Sequence, residues 1–259
     1  MRRVLGAVVV MVLAGCGERT PIAGRFGEVT SAVVVVNPVI NQGSTTSVVP
    51  GSARSGVSFR AADLAPVETD STGLALVEEL PTGTVTLDFN PGTSSFQVVQ
   101  EKELYDVVVA YRDGRVQQII PPVRYPIGGT VVEVERGDDI AQAAASDNTI
   151  IVLAPGTYPG NLELRAAGVL IFGAWSPEDG PLSTIEGNVT VLGGGNRIRG
   201  VKINGRLTSN ANNLSVSFSD IASATITGNG VSLLRNRFTA GQASVPSSNA
   251  VLVDNVGIP

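Results

Sequence analysis

The chain has 259 residues and a net charge of -5, with 43% hydrophobic residues, 5% aromatics, one cysteine and no histidine. The missing histidine excludes histidine general bases, Ser-His triads and imidazole metal ligands. A single cysteine excludes an internal disulfide, and the acidic balance with few aromatics argues against nucleic acid as a partner.

Arg2 and Arg3 precede an apolar run from Val4 to Leu13, which then shortens to Ala14 and Gly15 directly before Cys16. A positive start, about ten apolar residues and a small-residue exit describe a secretory signal. The run is shorter than the roughly 20 residues needed to cross a bilayer. Leu13-Ala14-Gly15-Cys16 resembles the lipobox of bacterial lipoproteins. That resemblance implies cleavage before Cys16, a diacylglycerol on its sulfur and acylation of the new amino terminus. Gly17 stands where enterobacterial lipoproteins retained at the inner membrane carry Asp, so the expected location is the outer membrane. Residues 1–15 are then the signal and 16–26 a lipidated tether.

From residue 31 the pattern is that of short strands. "SAVVVVNP" reads as a buried strand and residues 41–56 as a long surface loop rich in Ser, Gly and Thr. "GVSFRAA", "APVETD", "GLALVEEL", "GTVTLDF" and "YDVVVAYRDGRVQQIIP" follow as strands, with Asp113-Gly114 a hairpin signal in the last. Asp70 is placed to accept local backbone hydrogen bonds, and Gly73 and Gly83 to supply positive φ. Thr69-Asp70-Ser71-Thr72-Gly73 followed by Leu80-Pro81-Thr82-Gly83 resembles the carboxypeptidase-regulatory-like, or prealbumin-like, fold. It implies a small β-sandwich over 27–130. Asp70, Glu78 and Glu79 read as a solvated turn and strand face, with a calcium site at the sandwich edge as the alternative.

Beyond residue 137 the character changes. Asp138 or Asp139 can cap a short helix with Ile140 and Ala144 facing inward, followed by a strand from Thr149 to Leu153 and a turn at Pro155-Gly156-Thr157-Tyr158. This stretch resembles the opening coils of right-handed parallel β-helices of the pectin-lyase-like class, with Asn148 where that class usually has Asp. Two apolar tracks support a solenoid over 131–259: Ile198, Val216, Leu234 and Val253, and Val189, Leu207, Ile226 and Val245. In this register Asn236 and Asn255 stack on adjacent coils, like the asparagine ladders of that class. No capping helix closes the C-terminus, so the last coil is expected to expose a strand edge that could dock another chain. The fold class expected is all-β, a small sandwich followed by a short β-helix.

Acids of the second half, Glu163, Glu178, Asp179, Glu186, Asp220 and Asp254, form no recognisable catalytic set, and Glu178-Asp179 read as an exposed turn. Basic residues are more suggestive. Arg199 and Arg235 share one repeat offset two coils apart with Ser217 between them, and Arg197, Lys202 and Arg237 lie close by. Such a stripe suits an anionic polysaccharide or lipopolysaccharide phosphates. The expectation is a lipid-anchored, non-enzymatic envelope protein engaged in adhesion, scaffolding or glycan binding, needing no metal or cofactor. Its partners are the membrane through Cys16 and an acidic glycan or another envelope protein. The alternative is a polysaccharide lyase or glycoside hydrolase on the same fold.

Overall fold

A computed structural model describes residue 27 and residues 29–36, 40–42, 53–112, 115–126, 128–176, 179–246 and 250–258. The protein is all-β, with one four-residue helix among the described residues. The lipobox and tether, residues 1–26, lie outside them, as do Asp113-Gly114 and Glu178.

The first half contributes β1 (Ser31–Val36), β2 (Ile40–Gln42), β3 (Ser58–Ala61), β4 (Val67–Glu68), β5 (Leu74–Val77), β6 (Gly83–Asp88), β7 (Thr93–Val98), β8 (Leu104–Arg112) and β9 (Arg115–Tyr125). An inner sheet runs β5-β1-β8-β9 and an outer sheet β4-β3-β6-β7. Between them lies a core of Val34, Val36, Phe59, Val85, Leu87, Phe96, Val107 and neighbours. Asp70 accepts from the N–H of Thr72 at 2.8 Å and of Leu74 at 3.1 Å, closing its turn as expected. Gly73 there has φ 77°, and a Cβ would lie 2.4 Å from that of Ala53, so the position needs glycine. On either side of Asp113-Gly114 the strands pair directly, Arg112 opposite Arg115. β7 escapes the pattern reading because "TSSFQV" has only Phe96 and Val98 turned inward. β9 runs on through Pro121 and Pro122, which an edge strand of the sheet tolerates.

The second half contributes β10 (Thr130–Val134), α1 (Ile140–Ala143), β11 (Thr149–Leu153), β12 (Gly156–Tyr158), β13 (Leu162–Leu164), β14 (Leu170–Phe172), β15 (Trp175–Ser176) and β16 (Gly180–Pro181). Then follow β17 (Ser183–Ile185), β18 (Val189–Val191), β19 (Arg197–Arg199), β20 (Val201–Ser209), β21 (Ser215–Ser217), β22 (Asp220–Ile226), β23 (Ser232–Leu234), β24 (Arg237–Ser244) and β25 (Val251–Val253). Successive coils pair in parallel. A near sheet, β10-β11-β14-β19-β21-β23-β25, faces the first half, and a far sheet is formed by β12, β17, β20, β18, β13, β22 and β24. α1 is capped by Asp139, whose carboxylate accepts from Ala141 N at 2.8 Å, and Ile140 and Ala144 are buried.

The coil register differs from the sequence reading by one residue in the last coils. Ile198 pairs with Val216, but Val216 pairs with Leu233 and Leu233 with Leu252, giving steps of 18, 17 and 19 residues. The inward track in the far sheet is Val189, Leu207, Ala224 and Ala243. Leu234 and Val253 point outward instead and are still buried, because the inner sheet of the first half covers them. A strand apolar on both faces shows no alternation by which to fix its register. Asn236 and Asn255 do stack: Asn236 Nδ2 donates to Asn255 Oδ1 at 3.0 Å, and both side chains are buried.

The C-terminal edge is also occupied, contrary to expectation. β2 pairs antiparallel with β25, Ile40 opposite Val253, so the near sheet ends on a strand from the first half. Asn41 and Gln42 thus belong to a strand and not to a loop.

Candidate functional site

The inner sheet lies between two cores, which explains why β1 is buried at every position: Val34 and Val36 face the outer sheet, Val33 and Val35 face the second half. The second core is the junction of the two halves. It joins Val33, Val35, Leu74, Leu104, Val108, Ile120 and Tyr125 to Ile150, Leu170, Phe172, Trp175, Phe218, Leu234 and Val253.

Arg199 sits at the centre of this junction, 1% exposed, in an ion pair with Asp106 of β8, which is 0% exposed. Its Nη2 donates to Asp106 Oδ1 at 3.1 Å and its Nε to Oδ2 at 3.2 Å. Four rings surround the guanidinium, with centroids at 4.6 Å for Phe218, 5.7 Å for Trp175 and 5.9 Å for both Tyr125 and Phe172. The Tyr125 hydroxyl donates to Asp106 Oδ2 at 2.6 Å, and the Ser217 hydroxyl lies 3.1 Å from the same oxygen. Burial, then the Asp106 charge, raises the Tyr125 phenol well above its ordinary value. This is a fully satisfied buried pair, closed to solution ligands unless the halves separate.

Arg235 also belongs to the junction. It does not share the offset of Arg199, which pairs through Ser217 with Leu234. Arg235 occupies the left-handed turn after β23, φ 51°, where Gly200 and Phe218 stand in the preceding coils and Asp254 in the next. Its Nη1 donates to Thr72 O at 2.8 Å, in the turn held by Asp70, and its Nε lies 3.5 Å from Asp254. Burial pushes its pKa down. Gly200 is the one glycine among these turn residues, and there a Cβ would meet that of Trp175 at 2.8 Å.

The expected basic stripe is therefore divided. Arg199 and Arg235 are inside the junction, and Arg197 is half-buried at its rim. Lys202 and Arg237 lie on the far sheet, in the row Lys202, Asp220, Arg237, where Arg237 is ion-paired with Asp220. Neither Asp106 nor Tyr125 was expected as a partner of Arg199; the available signal was a lone acid inside the apolar run "LYDVVVAY". A second buried carboxylate, Glu103, takes a bidentate contact from Arg124 at 2.6 and 2.7 Å and the Tyr105 hydroxyl at 2.6 Å.

These described acids of the second half engage separate partners: Glu163 with Arg165, Asp179 with Ser176, Glu186 with Asn204, Asp220 with Arg237 and Asp254 with Arg235. A cleft of about 480 Å³ at the first coil is lined by Glu133, Asp138 and Asp139, but Asp138 and Asp139 are spent on backbone N–H groups of Glu135 and Ala141. Among the described residues no three His, Cys, Asp or Glu side chains converge as metal ligands would, and no helix is long and apolar enough to cross a membrane.

The far sheet keeps its outer face open. Thr190, Thr208 and Thr225 stand in register on successive coils and line a shallow groove of about 150 Å³ with Leu192, Asn210 and Thr227. Comparison with family models, with curated proteins and with solved structures returned no match.

Proposed function

We propose that this chain is a lipid-anchored protein of the bacterial outer membrane that works without catalysis, in adhesion, scaffolding or glycan binding. Cys16 carries the lipid, a prealbumin-like sandwich forms the base, and a right-handed parallel β-helix of the pectin-lyase-like kind is the part displayed. The observation that carries this reading is the contrast between the two faces of the solenoid. The near face is locked onto the first half, while the far face presents the in-register hydroxyls of Thr190, Thr208 and Thr225 to solvent. Regular hydroxyls on an open sheet suit a polyhydroxylated chain, and among the described residues the dispersed acids offer no pair poised for glycoside cleavage.

The test has two arms. Labelled palmitate is expected to enter the chain and follow it to the outer-membrane fraction, and Cys16→Ser is expected to abolish both. Incubation with acidic polysaccharides and calcium is expected to release no unsaturated or shortened sugars. Release of either would replace the binding reading with the enzymatic one.

A further inference from the structure

The first half covers the near sheet unevenly. One outward row, Phe172, Arg199, Ser217, Leu234 and Val253, is buried throughout. The neighbouring row starts buried at Ile150 and Leu170 and then emerges, half-buried, at Arg197, Ser215, Ser232 and Val251. Register sets these on adjacent coils, roughly 4.8 Å apart. Arg197 makes one hydrogen bond, to Gly195 O of its own turn at 3.3 Å, and no ion pair with any described residue. The hydroxyls of Ser215 and Ser232 take no partner among the described residues.

This guanidinium differs from its neighbours on the coil. Arg199 has Asp106, Arg235 has Asp254 and Arg237 has Asp220, whereas Arg197 is partly desolvated without an acid among the described residues. Burial lowers its pKa, opposed by the Tyr125 hydroxyl and assisted by the nearby Arg124 guanidinium. A half-buried cation without a counter-charge is costly, and an incoming anion relieves that cost.

We propose that the row Arg197, Ser215, Ser232 at the rim of the junction is a subsite for an acidic glycan. Arg197 takes a carboxylate or sulfate through its paired N–H groups. A chain continuing along the solenoid then meets one hydroxyl per coil, from Ser215 and Ser232. This inference rests on the glycan-binding reading above but places the charged contact on the near sheet, beside the first half, rather than among the far-sheet threonines.

Titration of the full chain in detergent with polygalacturonate, dextran sulfate and neutral dextran tests it. Binding of either acidic polymer, weakened by salt and exceeding that of dextran, is expected, and the stronger of the two identifies the anionic group. Arg197→Ala is expected to lower that affinity about tenfold, with partial recovery in Arg197→Lys. Arg60→Ala, an exposed cation on the outer sheet, is the charge-matched control and is expected to leave affinity unchanged. Should Arg197→Ala misfold, the Ser215→Ala, Ser232→Ala pair provides the reading, with about a threefold loss expected. Parent-like binding in the Arg197 or double-serine variant, or an equal loss in Arg60→Ala, overturns the subsite alone. No binding of any polymer by the parent chain removes the glycan reading and the subsite with it. Arg197-dependent binding to phosphatidylglycerol vesicles but to no glycan overturns the proposal in favour of a membrane contact.

Discussion

At the scale of single residues, Arg199 and Asp106 decide how the two halves meet. A buried ion pair is not in itself strong evidence of stability, since desolvating both charges offsets their attraction. Removing one partner is different, because the other is left charged in an apolar cage. Arg199→Ala or Asp106→Ala is therefore expected to cost about 3–5 kcal/mol, read as a lower urea midpoint with the slope unchanged. The double replacement Arg199→Met, Asp106→Leu is expected to cost less than either single change. A double mutant as unstable as the sum of the singles would show that the two sites act independently. Tyr125 adds a pH dependence. Its phenol is raised in the folded state, so the stability it contributes is complete below the ordinary tyrosine value of 10 and is lost as pH rises towards the higher folded value. Tyr105 and Tyr158 are raised as well and add the same sign. Stability is thus expected to fall above about pH 10, and less steeply in Tyr125→Phe; equal slopes in the two proteins would contradict this. Arg199 was legible in the sequence as a cation at an outward position, but neither its environment nor its different offset from Arg235 was. An outward position on a coil predicts solvent only when nothing packs there, and the covering residues come from almost a hundred positions away.

At the scale of elements, the parallel strands of the second half are held by a polar ladder as well as by their apolar interior. Ser219 N donates to Asn236 Oδ1 at 3.1 Å, Asn236 N to Asn255 Oδ1 at 2.9 Å, and Asn236 Nδ2 also to Val216 O at 2.8 Å. Asn236→Ala strands the buried Ser219 N–H and Val216 carbonyl of the preceding coil and leaves Asn255 Oδ1 one donor short, so a loss of about 2–3 kcal/mol is expected in the denaturant midpoint. The ladder could be found from the period alone, as Asn236 and Asn255 differ by one coil length. The exact register could not, because the coil from Val216 to Leu233 is one residue shorter than the preceding one and both faces of its strand are apolar. β2 was also hidden. Three residues, "INQ", with one apolar side chain, are too short to carry a strand signal of their own, and they pair with the backbone groups of β25. Proline at Asn41 and Gln42 together removes the N–H donors of this strand, and the freed edge of β25 is then open to another chain. Light scattering of that variant is expected to show more self-association than the parent; an unchanged mass would mean that β2 is not what protects the edge.

At the scale of the whole molecule, the sequence divides more cleanly than the structure does. Composition, turn motifs and coil period mark a change of character beyond residue 137, and the strands leave the inner sheet for the near sheet between Tyr125 and Thr130. What local patterns could not express is that the halves share a core. β1, written as an unbroken run "SAVVVV", already recorded burial on both faces, but only the structure says that the second face meets the near sheet of the other half. This sharing makes the two halves interdependent. Residues 128–259 alone would expose Phe172, Trp175, Phe218, Leu234 and Val253 on one flat face, together with Arg199 lacking Asp106. An apolar patch of that kind, with an uncompensated cation inside it, favours aggregation or loosened packing. The intact protein is accordingly expected to unfold in a single calorimetric transition whose van't Hoff and calorimetric enthalpies agree, and the isolated second half to bind hydrophobic dyes and melt earlier. Asp106→Ala should begin to separate the halves, splitting or broadening that transition. If instead the intact chain melts in two steps and residues 128–259 retain the upper one unchanged, the junction is a contact between independent domains, and the near sheet of the second half is available to ligands after all.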